Sequence, residues 1–394
     1  MKLLELHILQ TVAPSNLNRD DTGSPKDALF GGVRRARISS QAQKRAARDA
    51  LKEYLPSQDV EALAVRTRYA ARWLVRRLEG SGVPTDRAKS VVQKALSVLA
   101  IETDKTDKTE PLKTKYLLFV GARELEKAAD LLLSRLDCFE SLPAENGEGE
   151  NKSKKHRELE NALEALFDGG KAVDLALFGR MVADRPELGR EAAAQVAHAI
   201  STHRVDREFD FYTAVDDLAR NTDFDTEARA HTGMMGDVEF YSATLYRYAL
   251  LDLQKLVDNL QGDRDLALRG ALAFLEAFTR TLPSGKQNAF AAHNPPLFVA
   301  FRAGVGLPRN LATAFERPVY PRGGKAISDL SAEALATEWK KFDDAYGTLD
   351  RERKAAMNLT KADKQILRSV FPLVPDLATL KTEVEQALQA LLEV

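Results

Sequence analysis

Residues 238–251 read VEFYSATLYRYALL, an aromatic-rich run of period two that contains Tyr246 and Tyr248. That period is the signature of a strand, because successive side chains of an extended backbone point to opposite faces. Downstream, Leu266–Phe278 predicts a helix and Leu297–Arg302 a compact apolar strand. Upstream, Phe209, Phe211, Thr213 and Val215 alternate with Asp210, Tyr212, Ala214 and Asp216, the pattern of an exposed hairpin arm. At the N-terminus Leu4, Leu6 and Ile8 alternate with Glu5 and His7, a further strand. A polar, turn-rich loop covers Pro14 to Lys26, and Ile38-Ser39-Ser40 then leads into a helix that reaches about Tyr54, with Ser39 or Ser40 as N-cap and Pro56 as its stop.

The order strand, helix, strand, strand, helix, strand places the chain in the α+β class, as a ferredoxin-like or RRM-like sheet that carries a large, mostly helical insertion. The insertion, from Gln58 to Asp168, contains two low-complexity segments, TDKTDKTEPLKTK from Thr103 and ENGEGENKSKK from Glu145, which read as surface connectors. Ala172–Phe178 reads as another short strand and the Ala-rich Glu187–Ile200 as a helix. The C-terminus adds helices, the last with Leu377, Leu380, Val384, Leu388 and Leu391 on one stripe. The chain thus divides into 1–57 (palm, first part), 58–190 (helical fingers insertion), 191–235 (thumb arm and its approach), 236–325 (palm, second part) and 326–394 (C-terminal helices).

With 394 residues, 44% apolar and 29% charged, the chain is a soluble globular protein that buries a core without staples. The single cysteine, Cys138, has no partner for a disulfide or a zinc site, so a reducing cytoplasm is expected. Glu5 and His7 interrupt the first apolar run, which argues against a signal peptide. No stretch approaches the roughly 18 apolar residues of a membrane span.

The formal net charge of -1 conceals its distribution. Val33–Lys52 holds +6, through Arg34, Arg35, Arg37, Lys44, Arg45, Arg48 and Lys52 against Asp49 alone. Arg66–Arg77 holds +5, so the rest of the chain carries -12. Gln41, Lys44, Arg45, Arg48 and Lys52 recur at intervals of three and four, which makes one helix face cationic, while Ala42, Ala46, Ala50 and Leu51 form its packing face. An ordinary solvated face would interleave acids at i,i+4. Here they are nearly absent, and the upstream FGGVRRAR brings a Gly31-Gly32 pair that lets backbone approach a ligand. Phosphate tracking is the expectation for this region. Tyr69 and Trp73, spaced i,i+4 among Arg68, Arg72 and Arg76, read as core rather than as a base-stacking platform. From Arg204 to Arg229 the arm is net -4, a poor phosphate groove, but Phe211 and Tyr212 suit a wedge between bases.

Catalytic motifs are absent: GxxxxGK[ST], GxSxG and HExxH do not occur, the six histidines are scattered, and the RNP1 pattern is missing. No cofactor or metal is expected.

The runs SNLNRDD, KDALFGG, RRARISSQAQKRAAR, DLALFGRM, AHAISTH, FYTAVDDL and LYRYA, in this order, resemble the backbone subunit of the type I-E CRISPR Cascade complex, the CasC family. The resemblance covers residues 1–54 and 172–320 and is weak elsewhere, above all in the fingers. It implies a non-catalytic, hand-like protein with an RRM-like palm, helical fingers and a thumb hairpin. Copies would polymerise head to tail on one crRNA beside other Cascade subunits and present the guide to target DNA. By resemblance Lys26, Gln41, Lys44, Arg45 and Arg48 face the crRNA backbone, and Met181, Phe211, Tyr212 and Thr213 wedge against displaced or flanking bases. Arg34, Arg35 and Ser39 complete the expected RNA-binding set. The alternative is an RRM-like CRISPR endoribonuclease acting on crRNA precursor or target RNA, with His203, the arm acids, Gly304 and Gly306 as candidates; no acid–base pair held in one pocket stands out in the sequence.

Overall fold

In a computed structural model, residues 1–104, 112–142, 154–182, 185–215 and 232–393 are described. Its strands are β1 (Lys2–Ser15), β2 (Asp27–Phe30), β3 (Val33–Ile38), β4 (Ala64–Thr67), β5 (Leu118–Gly121), β6 (Ala194–Val196), β7 (Ala199–Ser201), β8 (Glu208–Val215), β9 (Thr232–Asp252), β10 (Phe298–Val305), β11 (Asp350–Asn358) and β12 (Leu373–Val374). The principal sheet runs β12-β11-β10-β1-β9-β7-β3-β2, and β6 and β8 also pair with β9. Its centre is antiparallel: Leu6 lies between Ala249 of β9 and Phe301 of β10. Among the described strands only β12 adds in parallel, on β11. This is a mixed α+β fold.

One face of the sheet, through Leu4, Leu6 and Ile8, packs on helices Ser40–Ala50 (α1), Arg264–Arg280 and Leu377–Leu392. The other face, through Leu3, Leu9, Tyr246 and Tyr248, is covered by helix Ile327–Tyr346. With both faces covered, the polar residues of β1 are buried too. Glu5 accepts from Arg302 (2.8 Å) and from the Tyr248 hydroxyl (2.6 Å), and His7 Nδ1 meets the Tyr246 hydroxyl at 2.9 Å. The alternation that identifies β1 as a strand therefore does not mark a solvated face.

Burial, helped by Arg302, lowers His7 to about 3, so its ring is neutral in the fold. The unfolded chain takes up that proton near pH 6.5. His7 thus contributes stability that is complete above about pH 6.5 and is lost at about 1.4 kcal/mol per unit as pH falls towards 3. Glu5, whose carboxyl burial raises, acts in the opposite sense. His7→Asn is expected to flatten the acid limb of urea midpoints between pH 6.5 and 5; an unchanged slope would sink this assignment.

Two segments differ from their sequence reading. Val173–Phe178 is a helix, not a strand. Leu175 joins Ala64 and Phe119, while Val173, Ala176 and Leu177 enter the main core, so the helix is apolar on two sides because it lies between two packed bodies. Gly179, at φ 74°, stops it. The stretch 187–200 is not a helix: Ala194–Val196 and Ala199–Ser201 pair with β9. Helix propensities amount to tenths of a kcal/mol per residue, and the open hydrogen-bonding edge of a long strand outweighs them.

The helix from Ser40 gives way at Leu51–Glu53 to a 3₁₀ turn before Pro56. The C-terminal region contributes β11 as well as helices; charges in its DRERK half hide it, and only Ala355, Ala356 and Met357 are buried. A separate core, built from Leu74, Leu78, Val91, Val92, Leu132 and Phe139, fills the insertion, which also carries the β4–β5 pair. Most of the two low-complexity segments, and Asp216, Asp217, Asp223, Asp225 and Glu227 of the arm, lie outside the described residues. No helix among the described residues is long and apolar enough to cross a membrane.

Candidate nucleic-acid interface

The cationic face begins at α1. Ser39 caps it, its hydroxyl accepting from the Ala42 N–H at 3.3 Å, and its own N–H donates to Asn18 Oδ1 at 2.8 Å. Gln43 fixes the rotation of the helix: its Nε2 donates to the Ala197 carbonyl (2.9 Å) and its Oε1 accepts from Arg247 (3.2 Å). Gln43, Ala47, Ala50 and Leu51 therefore form the buried face, rotated from the alanine stripe expected from sequence, with Ala42 and Ala46 half-buried.

Gln41 and Arg45 are exposed and Lys44 is half-buried. Burial pushes the Lys44 ammonium pKa down, and among the described residues no carboxylate pairs with it. Arg45 has only a 3.6 Å approach to Asp49, with 83% of its side chain exposed. Lys26 is half-buried at the base of the β2–β3 hairpin, where its charge and that of Arg37 add to burial in lowering His198. Arg37 donates to His198 Nδ1 at 3.0 Å.

At the other end of α1, Arg48 donates to Asp174 (3.0 Å) and to the Ala64 carbonyl (3.2 Å), and lies 4.6 Å from the Phe119 ring centroid. Arg66 shares that ring at 5.0 Å, and its guanidinium pKa is pushed down by burial, then by Arg48. Lys44 and Arg45 on α1 thus lead to Arg66, whose guanidinium also feels the charge of Arg45, while Lys26 lies at the hairpin base near His198 and Arg37. Repulsion among the neighbours is relieved by whatever anion lies along them.

Other expected contacts have structural work. Arg35 is buried and bonds only carbonyls, those of Phe30, Ser201, Phe315 and Glu316, so it is unavailable to a ligand. Arg34 is paired with Asp27, which also holds Arg207. Ser39 is buried as a cap, and Arg48 ties α1 to helix Val173–Phe178. Gly31 serves packing: a Cβ there would overlap the Glu316 carbonyl, whereas Gly32 faces open space. Of the aromatic pair, Trp73 packs on the core of the insertion but Tyr69 is exposed, contrary to the core reading for both.

Met181 is 88% exposed and lines, with Tyr116 and Leu117, a cavity of about 30 Å³. On the β8–β9 hairpin the register separates the expected wedge residues. Phe211 and Thr213 share one face, opposite Asp237 and Met235, and Tyr212 belongs to the other, where its ring crosses Gly236. Phe211 is 66% exposed.

The histidine of the ribonuclease alternative is engaged at both nitrogens. His203 Nδ1 donates to the Arg204 carbonyl (2.8 Å), Nε2 accepts from the Thr244 N–H (3.1 Å), and burial lowers its pKa. Gly304 is closed by Leu349 and the Asp350 carbonyl, and Gly306 by Leu349. These contacts give the two glycines a packing role.

Exposed cations along α1 and an exposed hairpin are general chemistry, but the match to a family model for CT1975-like proteins extends over residues 4–375. The chain belongs to the CT1975-like family. Among solved structures, this CT1975-like chain is similar to one titled "CRISPR RNA-guided surveillance complex, pre-nicking", at TM-score 0.80 and 29% identity, covering 98% of this chain and 100% of that one. A second, titled "CRISPR RNA-guided surveillance complex", shares the fold at TM-score 0.70 and 23% identity, covering 99% of each chain. The curated proteins contain no match to its sequence.

Arg66 escaped the sequence reading as part of this cationic face. Its position in VRTRYAARWLVRR carried charge, but only the β4–β5 pairing brings it to Phe119 and Arg48.

Proposed function

We propose that the protein is the non-catalytic, crRNA-binding backbone subunit of a type I-E CRISPR Cascade complex in the cytoplasm. The observation that carries this reading is the half-buried ammonium of Lys44, which has no carboxylate partner among the described residues, beside the exposed Arg45 on α1. The full-length likeness to a chain of an RNA-guided surveillance complex supports it. The central strand order β10-β1-β9-β7, with α1 and helix Arg264–Arg280 on one face, supports an RRM-like palm formed by 1–57 and 236–325. Residues 58–190 are its fingers, 191–235 its thumb with the approach, and 326–394 a C-terminal support.

Phosphate contacts suit a guide of any sequence, because they position a strand without reading it, and pairing to target DNA then supplies specificity. Lys26, Gln41, Lys44 and Arg45 hold the backbone in this reading, with Arg66 added. Copies polymerise head to tail alongside other Cascade subunits, the acidic arm of one copy meeting the basic face of the next. The test is co-expression with a CRISPR array and the other subunits, followed by sequencing of the co-purified RNA. Spacer RNA without sequence preference is expected; bulk cellular RNA alone would refute the reading.

Phe211 is the wedge. In the assembled complex, Phe211→Ala is expected to abolish the periodic hyper-reactivity of displaced guide bases to chemical probes. Tyr212→Ala, on the other face of the hairpin, is expected to retain it. Equal effects would place the wedge elsewhere.

A further inference from the structure

Between helix Arg264–Arg280 and β10 the chain is held in an unusual shape. Lys286 and Ala291 adopt left-handed backbone at φ 52° and 46°, conformations unfavourable to residues with a Cβ. The surroundings enforce them. A Cβ at Gly285 would overlap the Leu17 carbonyl, Gln287 clasps the Ala292 backbone (2.7 and 3.3 Å), Asn294 Oδ1 accepts from the Ala13 N–H (2.9 Å), and Phe290 packs 5.5 Å from Phe240. The outcome is an exposed Lys286 with no carboxylate partner among the described residues.

Behind this loop lies a cavity of about 200 Å³, lined by Gln10, Arg280, Ser284, His293 and Asn294 among others. At roughly 30 Å³ per water it has room for several. Its inner wall, Gln10, accepts from Arg247 at 2.6 Å. Arg247 is wholly buried, and its other partners are neutral: Gln43 Oε1 (3.2 Å), the Phe278 carbonyl (2.6 Å) and the Phe278 ring (4.5 Å). Among the described residues no carboxylate pairs with this guanidinium, so its positive field is uncompensated inside the palm. Arg280, at the cavity rim, is shared with Glu276 at 2.6 Å. Leu282 packs in the same cluster as Ala42 and Ile38, which places the loop beside the first turn of α1.

We propose that this loop and the cavity beside it form a second anion site, in which Ser284 and His293, which line the cavity, and Lys286, exposed on the same loop, hold a phosphodiester of the strand that lies along α1. The site rests on the reading of the protein as RNA-binding and extends its grip from α1 to the thumb root.

The test compares full-length wild type, Lys44→Glu, Lys286→Glu and Lys286→Gln for binding to labelled repeat-spacer RNA across a salt series, with melting as a fold check. Lys286→Glu is expected to weaken binding about 10-fold and to lower the slope of log K against log salt by about 1, with Lys286→Gln intermediate and melting unchanged. If wild type binds and Lys44→Glu weakens it while Lys286→Glu does not, the second site falls and the RNA reading stands. If wild type fails to bind, the RNA reading falls first. Stabilisation of wild type by millimolar inorganic phosphate, together with RNA binding indifferent to Lys286, would show a site for free phosphate and overturn the assignment to the strand.

Discussion

Replacing both Lys44 and Arg45 with glutamate is expected to weaken RNA binding on the order of 100-fold at ~0.1 M salt, equally for unrelated spacers, and to lower the salt slope by about 2. Both side chains reach solvent from α1, and among the described residues neither has a strong partner: Lys44 has no carboxylate, and Arg45 has only a distant one. Charge reversal therefore removes the two proposed phosphate contacts and adds repulsion without breaking the fold. Arg48, though equally prominent in sequence, is the wrong residue for this experiment. Its reversal would place a second carboxylate against buried Asp174, and lost binding would then report misfolding. The measurement is an equilibrium titration across a salt series with two spacers; a loss confined to one spacer would sink the backbone-contact model.

Arg180→Ala is expected to cost about 3–5 kcal/mol, the largest stability effect in the insertion, because it strands a buried carboxylate. Arg180 Nη1 donates to both oxygens of Glu124 (3.0 and 2.8 Å) inside the protein, and Glu124 also accepts from the N–H groups of Gly121 and Gly169 (2.7 Å each). The same guanidinium donates to the Leu188 and Phe167 carbonyls at 2.9 and 2.8 Å. One side chain thus closes the insertion and sets the exposed Met181 next to it. Denaturant unfolding and limited proteolysis of the insertion are the readouts. A companion variant, Arg180→Met with Glu124→Gln, is expected to recover part of the loss, since no unpaired charge is then buried. A loss below about 1 kcal/mol for Arg180→Ala would show that the pair is not what closes the insertion.

The cationic face of α1 was legible because helical spacing and the lack of interleaved acids are local properties. The central strands were legible for the same reason, as 238–251 and 297–302 carry period-two or compact apolar patterns that survive burial. Where a segment's partner lies far along the chain, local patterns misled. The run 194–201 is strand because β9 has an edge to fill, and 173–178 is helix because it is buried on two sides.

For the site, sequence identified cations but could not separate free ones from engaged ones. Arg35, Arg45 and Arg48 look alike in RRARISSQAQKRAAR. Arg35 is spent on four carbonyls and Arg48 on Asp174, 126 residues away, and only Arg45 faces solvent. Sequence by itself determined the α+β class, the central strands and the cationic helix α1, and the segregation of charge, since each follows from side-chain spacing and composition along the chain. Tertiary structure alone decided which positive charges are available and that Lys286 is held exposed on a loop lining a cavity whose wall, Gln10, bonds the buried Arg247. Those properties depend on neighbours brought together by folding, and a linear sequence does not specify the distances between them.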